Sequence, residues 1–212
     1  RFVSARERGA LITVNHPFEA GCEFKFDLND LPFDCIEVWN GPMRTHNFLA
    51  VGLWQSLLAE GKKIPACGGS DFHRDMPFFY PGGPTTCVYS RSAGPHDILE
   101  GLRRGNSYII FAPNGPSLEM TAGEAIVGDT VPWPAVKELH ITVDGLWPGD
   151  TVQIVTDRDL EAVFEAPESG RFQTIYTMER PGFARVEIIR AFLPGIPALP
   201  ALLSNPIYFE EM

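Results

Sequence analysis

The chain lacks most of the devices by which a protein of this size declares its chemistry. It has no Gly-x-Ser-x-Gly nucleophile elbow and no glycine-rich phosphate loop of the Walker type, which sets aside serine-hydrolase and P-loop nucleotide chemistry. Cysteine is sparse and shows no Cys-x-x-Cys pair: Cys22, Cys35, Cys67 and Cys87 are the full set, and Cys35 and Cys67 fall inside apolar runs. They read as reduced core thiols rather than a disulfide or zinc framework. No apolar run is long enough to span a bilayer, so no membrane helix is expected. Basic residues are outnumbered, 17 Lys and Arg against 27 Asp and Glu, for a formal net charge of −10. That excludes the basic stripe of a nucleic-acid binder. The acidic residues are dispersed and read as a solvated surface. The expected setting is cytoplasmic. Histidine is also scarce, five in all, so the position of each one is informative.

One stretch sets a carboxylate and an imidazole close together. Ser70-Asp71-Phe72-His73 follows Gly68-Gly69 and the short apolar run Ile64-Pro65-Ala66-Cys67. Side chains at i and i+2 of an extended segment point the same way. Asp71 and His73 can therefore offer an oxygen and a nitrogen ligand to one divalent cation. The glycines let the backbone bend and approach a neighbour closely. An Asp-x-His pair alone is commonplace, and its histidine is often structural. Two further segments of the same shape add weight. Leu11-Ile12-Thr13-Val14 runs into Asn15-His16-Pro17, and Cys35-Ile36-Glu37-Val38-Trp39 runs into Asn40-Gly41-Pro42. Continuous apolar runs of this length fit strands of a parallel sheet buried on both faces. After the second of them, residues 45–60 carry apolar positions at helical spacing, with Gly61 where a C-cap would sit. Parallel βα units gather function at the carboxyl ends of their strands. His16, Asp71 and His73 occupy such ends, and Glu37 lies inside the middle strand.

In order and spacing, Asn15-His16-Pro17, then Ile36-Glu37-Val38-Trp39-Asn40-Gly41, then Gly69-Ser70-Asp71-Phe72-His73 resemble the later half of a PHP (polymerase and histidinol phosphatase) domain. The nearest flavour is the group of metal-dependent phosphoesterases that includes the carbaryl-hydrolase-like proteins. Residues 84–89 followed by 98–108 are similar to the way that domain closes, and residues 203–208 also recur in the group. The resemblance covers residues 1–110 closely and the remainder loosely. It implies the later half of a distorted (β/α)7 barrel over residues 1–111, with two or three divalent ions (Mn, Fe or Zn) at the strand ends of the intact site. His16, Asp71 and His73 carry over as metal ligands; Glu37 matches a motif position without being a ligand. The implied chemistry is hydrolysis of a small-molecule phosphoester by a hydroxide held between metals.

The chain also departs from that family, which opens with a His-x-His pair. None occurs here, and His16 is the first histidine. Arg1–Gly9 reads as the end of a helix, with no initiator Met and no signal segment. The expectation is therefore the C-terminal part of a metal-dependent hydrolase, with partial metal occupancy or none, and inactive or nearly so by itself. Half a barrel exposes strand edges and apolar helix faces. It should self-associate as a homo-oligomer or rebuild as a small open α/β layer packed on the rest of the chain.

From residue 112 the texture changes. After Ala112-Pro113-Asn114-Gly115-Pro116, short strands are expected at 117–121, 139–143, 151–155, 162–166, 172–177, 184–190 and 206–210, punctuated by Asp144-Gly145, Pro148-Gly149-Asp150, Glu168-Ser169-Gly170 and Pro181-Gly182. Seven short strands in residues 112–212 suggest an all-β, Ig-like sandwich. Leu193–Pro200 reads as an extended loop before the last strand. His140 reads as a surface histidine, and Trp133 and Trp147 as loop packing, with a sugar or partner surface as the alternative.

Other candidates surround the motif. Arg74, beside His73, and Arg44, after Glu37, are candidate substrate-binding residues for an anion, with a surface ion pair as the plain alternative for each. His46 opens the long helix, either near the site or on the surface. Phe78-Phe79-Tyr80-Pro81 suggests a loop that walls the pocket. Three functions stand: a metal-dependent phosphoesterase, a carboxyl or carbamate ester hydrolase on the same metal apparatus, and a non-catalytic binding module.

Overall fold

A computed structural model describes residues 2–28 and 31–211. A short helix α1 (Phe2–Glu7) leads to β1 (Thr13–Val14), β2 (Cys35–Asn40), helix α2 (Thr45–Ala59) and β3 (Ala66–Gly69). The three strands form a parallel sheet in the order β1-β2-β3. All six positions of β2 are buried, which is why it reads as a continuous apolar run rather than an alternating one. On α2, Ala50, Trp54, Leu57 and Leu58 are buried. The Trp54 indole donates to the Ile64 carbonyl at 2.8 Å, which ties the helix to the chain entering β3.

The remaining elements are β4 (Thr85–Val88), helix α3 (Pro95–Arg104), β5 (Ser107–Ile110), β6 (Ser117–Ala122), β7 (Ala125–Ile126), β8 (Thr130–Trp133), β9 (Glu138–Asp144), β10 (Thr151–Thr156), β11 (Leu160–Glu165), β12 (Arg171–Thr177), β13 (Gly182–Arg190), β14 (Leu199–Ser204) and β15 (Ile207–Glu211). Helix α3 carries its own start and stop: Pro95 in the first turn, Asp97 near the N-terminus, Arg103 and Arg104 in the last turn, and a left-handed Gly105 as C-cap.

These strands make two sheets. One has eight strands in the order β11-β10-β13-β14-β5-β4, with β15 on β13 and β8 on β15; the other is β12-β9-β6-β7. Leu118, Met120, Leu139, Ile141 and Val143 of the smaller sheet share one core with Val152, Ile154, Val186, Ile188 and Leu202 of the larger. The opposite face of the large sheet is buried as well. Ile109, Phe183, Leu203 and Tyr208 join Val14, Ile36, Val38, Trp54 and Ala66 of the α/β layer in a second core. Adjacent residues therefore divide between the two cores, Ile110 and Ile109, Ala184 and Phe183, Leu202 and Leu203, as the alternation of a pleated strand requires. Arg185 belongs to the second face. It is buried, lies over the Trp54 ring at 4.9 Å, and donates to Gln55 at 3.1 Å and to Glu187.

The architecture is mixed α/β and mostly sheet, 15% helix and 39% strand, and no closed barrel forms among the described residues. The strands expected to close the α/β half behave differently. β4 and β5 are antiparallel, and β5 pairs with β14 through Leu202↔Ile110 and Leu203↔Ile109. Residue 111 thus lies just past β5, a strand of the large sheet. The expected loop at 193–200 ends inside β14, where Pro200 sits opposite Ile189 beside a register shift; a bulge is one of the few places a sheet tolerates proline.

Candidate functional site

The polar residues of the motifs collect at the carboxyl ends of the parallel strands, and local backbone conformation places them there. His16, just past β1, and Asp71, just past β3, both have left-handed φ values, 53° and 46°. A non-glycine residue in that region is uncommon and held by its surroundings. For His16 the holding group is Glu37. This carboxylate is only 8% exposed. Its Oε2 accepts from the His16 backbone N–H at 3.0 Å and lies 3.2 Å from His16 Nδ1, while Oε1 accepts from Asn40 Nδ2 at 3.2 Å. Asn40 is fixed in turn by Asn47 in the first turn of α2: its N–H donates to Asn47 Oδ1 at 3.1 Å, and Asn47 Nδ2 donates to the carbonyls of Asn40 and Pro42 at 3.0 Å each.

The position of β3 is set from both sides. It has one strand partner, β2, yet its other edge is satisfied by side chains, which removes the liability of unpaired backbone groups. Buried Asn205 accepts from the Ala66 N–H at 2.7 Å and donates to the Ala66 carbonyl at 3.1 Å. Thr86 Oγ1 accepts from Gly68 N–H at 3.0 Å and donates to its carbonyl at 2.7 Å. Gly68 is required here: a Cβ would stand 2.7 Å from the Trp39 carbonyl oxygen and 3.0 Å from Ile109 Cγ2.

A cleft of about 440 Å³ opens above these strand ends, lined by Asn40, Arg44, Asp71, His73, Arg74 and Glu19 among others. Asp71 and His73 pair at 3.0 Å between Oδ1 and Nε2, and their side chains are 38% and 80% exposed. They face the cleft rather than the core. Arg44 reaches Glu19 at 3.4 Å and lies over the Phe79 ring at 5.4 Å. Arg74 has no ion pair or hydrogen bond among the described residues. The structure therefore brings Asp71, His73, Arg44 and Arg74 around one cleft, with His16 joined to it through Glu37 and Asn40. Two participants have no sequence motif of their own: Glu19, three residues beyond His16, and Asn47. Glu19 Oε2 lies 3.5 Å from His46 Nε2, which places His46 against the site region rather than on open surface.

The donors fit a divalent cation in kind. His16 Nδ1 and His46 Nε2 are buried nitrogens without a hydrogen bond among the described residues, and each faces a carboxylate oxygen, that of Glu37 and that of Glu19. His16 Nδ1 stands 3.2 Å from Glu37 Oε2 without forming a hydrogen bond to it. Imidazole nitrogen and carboxylate oxygen together suit Mn, Fe or Zn. The donors stand in pairs: among the described residues no three His, Cys, Asp or Glu side chains are grouped to hold an ion as they lie. Nor, among them, is any helix long and apolar enough to cross a membrane. Compared with protein-family models, curated proteins and solved structures, the chain gives no match.

Proposed function

We propose that the strand-end cleft is the later part of a PHP-type metal-hydrolase site, acting on a small-molecule phosphoester. On this reading the parallel sheet corresponds to later strands of a distorted (β/α)7 barrel, followed by an Ig-like sandwich. The observation that carries it is that His16 and Asp71, two ligand-type residues, share a rare left-handed backbone conformation at the ends of β1 and β3. His16, Asp71 and His73 would hold the ion once His16 is brought to the Asp71–His73 pair, since the three are not grouped as they lie. Glu37 positions His16 by accepting its backbone N–H. When bound, such an ion polarises an ester or phosphoryl oxygen and acidifies water. The donors stand in pairs, so a bridged cluster needs ligands beyond the described residues, and the chain alone turns over little or no substrate. Arg44 and Arg74 sit where an anionic substrate would lie, and a guanidinium fork suits phosphate oxygens. That favours the phosphoester over the carboxyl or carbamate ester.

Inorganic phosphate tests the reading without turnover. Phosphate should bind the Mn2+-loaded chain more tightly than the metal-free chain, and Arg74→Ala should remove most of the difference. Phosphate binding indifferent to both Mn2+ and Arg74 would return the chain to the non-catalytic class.

A further inference from the structure

A second cavity, about 550 Å³, adjoins the first and has the opposite character. Its walls include Trp39, Phe78, Tyr80, Phe111, Phe192 and Leu199. The two spaces share a partition. Asn40 lines the polar cleft, and its neighbours Trp39 and Gly41 line the apolar cavity. The 76–80 loop alternates in the same way: Met76 and Phe79 face the cleft, Phe78 and Tyr80 the cavity. The loop is folded rather than loose, closed by bridges between Met76 and Phe79 and between Tyr80 and Gly83. Phe78 nonetheless holds a left-handed φ of 67° and is 71% exposed; Tyr80 is 64% exposed.

We propose that this cavity is a binding subsite for an aromatic group, and that the substrate is an aryl ester whose ester end lies in the polar cleft. The second clause rests on the hydrolase reading; the first does not. Aromatic side chains surround the space from the α/β layer (Trp39), the 76–80 loop (Phe78, Tyr80) and the large sheet with its following loop (Phe111, Phe192). Phe111 and Phe192 already pack edge to face at 4.9 Å, while Trp39, Phe78 and Tyr80 line the cavity from the other side; a planar ring between them would find offset or edge-to-face partners. The cavity is in the size range of small-molecule sites, and an apolar body with a few polar groups at one end is their usual character. The β-rich part of the chain thus supplies part of the site, because Phe192 lies between β13 and β14 and Leu199 opens β14.

The probes are 4-methylumbelliferone, a fluorescent bicyclic aryl alcohol, and inorganic phosphate, each titrated into the full chain with Mn2+ present. The umbelliferone should bind saturably. The double variant Phe78→Ala/Tyr80→Ala should bind it about fivefold or more weakly, the effect of losing one or two ring contacts. Both residues are exposed, so an unchanged thermal melt should confirm that the fold survives. Val163→Ala on a distant exposed strand should leave its affinity unchanged. Absence of saturation, equal affinity in the double variant, or an equal loss in Val163→Ala overturns the subsite. The phosphate arm fails separately. Umbelliferone binding that depends on Phe78 and Tyr80 without Mn2+-dependent phosphate binding upholds the subsite and removes the hydrolase reading; the reverse pattern overturns the subsite alone.

Discussion

Gly68 and Gly69 are adjacent and identical, and the structure assigns opposite signs to the same change at each. An alanine at 68 would put its Cβ 2.7 Å from the Trp39 carbonyl oxygen, 3.0 Å from Ile109 Cγ2 and 3.1 Å from Trp39 Cβ. The first of these atoms is backbone in a strand buried at every position, and the second belongs to a different sheet, so neither can yield cheaply. Overpacking of this kind costs about 1–3 kcal/mol, and a two-sided collision with backbone puts Gly68→Ala near the upper end. At Gly69 nothing lies within 4 Å of the added carbon. Its backbone is also outside the left-handed region, so Gly69→Ala should stabilise by about 0.4–1 kcal/mol through the unfolded state. Urea unfolding followed by tryptophan fluorescence reads the difference, since Trp39 and Trp54 lie in the core beside β3. A Gly68→Ala cost below about 0.5 kcal/mol, the range of ordinary surface changes, would refute the close approach of β3 to β2 and β5 on which the placement of Asp71 depends.

Other consequences are equally open to measurement. Arg190 and Asp150 form an ion pair at 2.6 Å, each side chain 1% exposed; Asp150→Ala should destabilise by about 3–5 kcal/mol by stranding the guanidinium, read as a lower urea midpoint. Asn205→Ala unpairs the Ala66 N–H and the Ala66 carbonyl, and leaves the Ser107 carbonyl only the backbone N–H of residue 205. It should cost about 3 kcal/mol and weaken Mn2+ binding, because β3 loses its second edge. Burial, with the Asp34 charge second, pushes the Cys35 thiol from 9.0 up to about 12, and burial raises Cys67 as well. A folded pKa above the unfolded one gives a contribution that is whole below pH 9.0 and is lost as pH rises towards 12, at up to about 1.4 kcal/mol per pH unit for each thiol. The unfolding free energy should therefore fall from pH 9 to 11, and Cys35→Ala should flatten that slope.

Much of this organisation is legible in the residues. Six-residue β2, helix α2 and the evenly punctuated strands β9, β10, β12 and β13 follow from apolar period and turn chemistry, and their observed bounds lie close to those expected. The partnership of β4 and β5 was not legible, because pairing with β14 spans about ninety residues and no local pattern encodes it. Arg185 and Glu187 alternate with apolar neighbours along β13. Alternation reports two faces but not whether a second layer covers the polar one, and here α2 does. Leu199 and Pro200 read as loop because proline is expected outside sheets, and a register shift admits it. At the site, His16, Asp71, His73, Arg44 and Arg74 stand out by residue type and strand-end position. Glu19 and Asn47 do not, since a lone carboxylate or amide means nothing until a fold turns it towards a partner. Glu37 was visible as a motif residue, but its task of holding His16 in a left-handed conformation is a property of the folded backbone.

On the hydrolase reading, residues at the ends of two separate parallel strands act together on one divalent ion. Mn2+ titration followed by electron paramagnetic resonance of the free ion tests it most directly, on the unaltered chain and on His16→Gln, Asp71→Asn and Asp144→Asn. The account predicts saturable binding, weakened about tenfold or more by either of the first two changes, as losing a ligand or its support does, and untouched by the third on the far sheet. Absence of binding by the unaltered chain, or equal binding by Asp71→Asn, would contradict it.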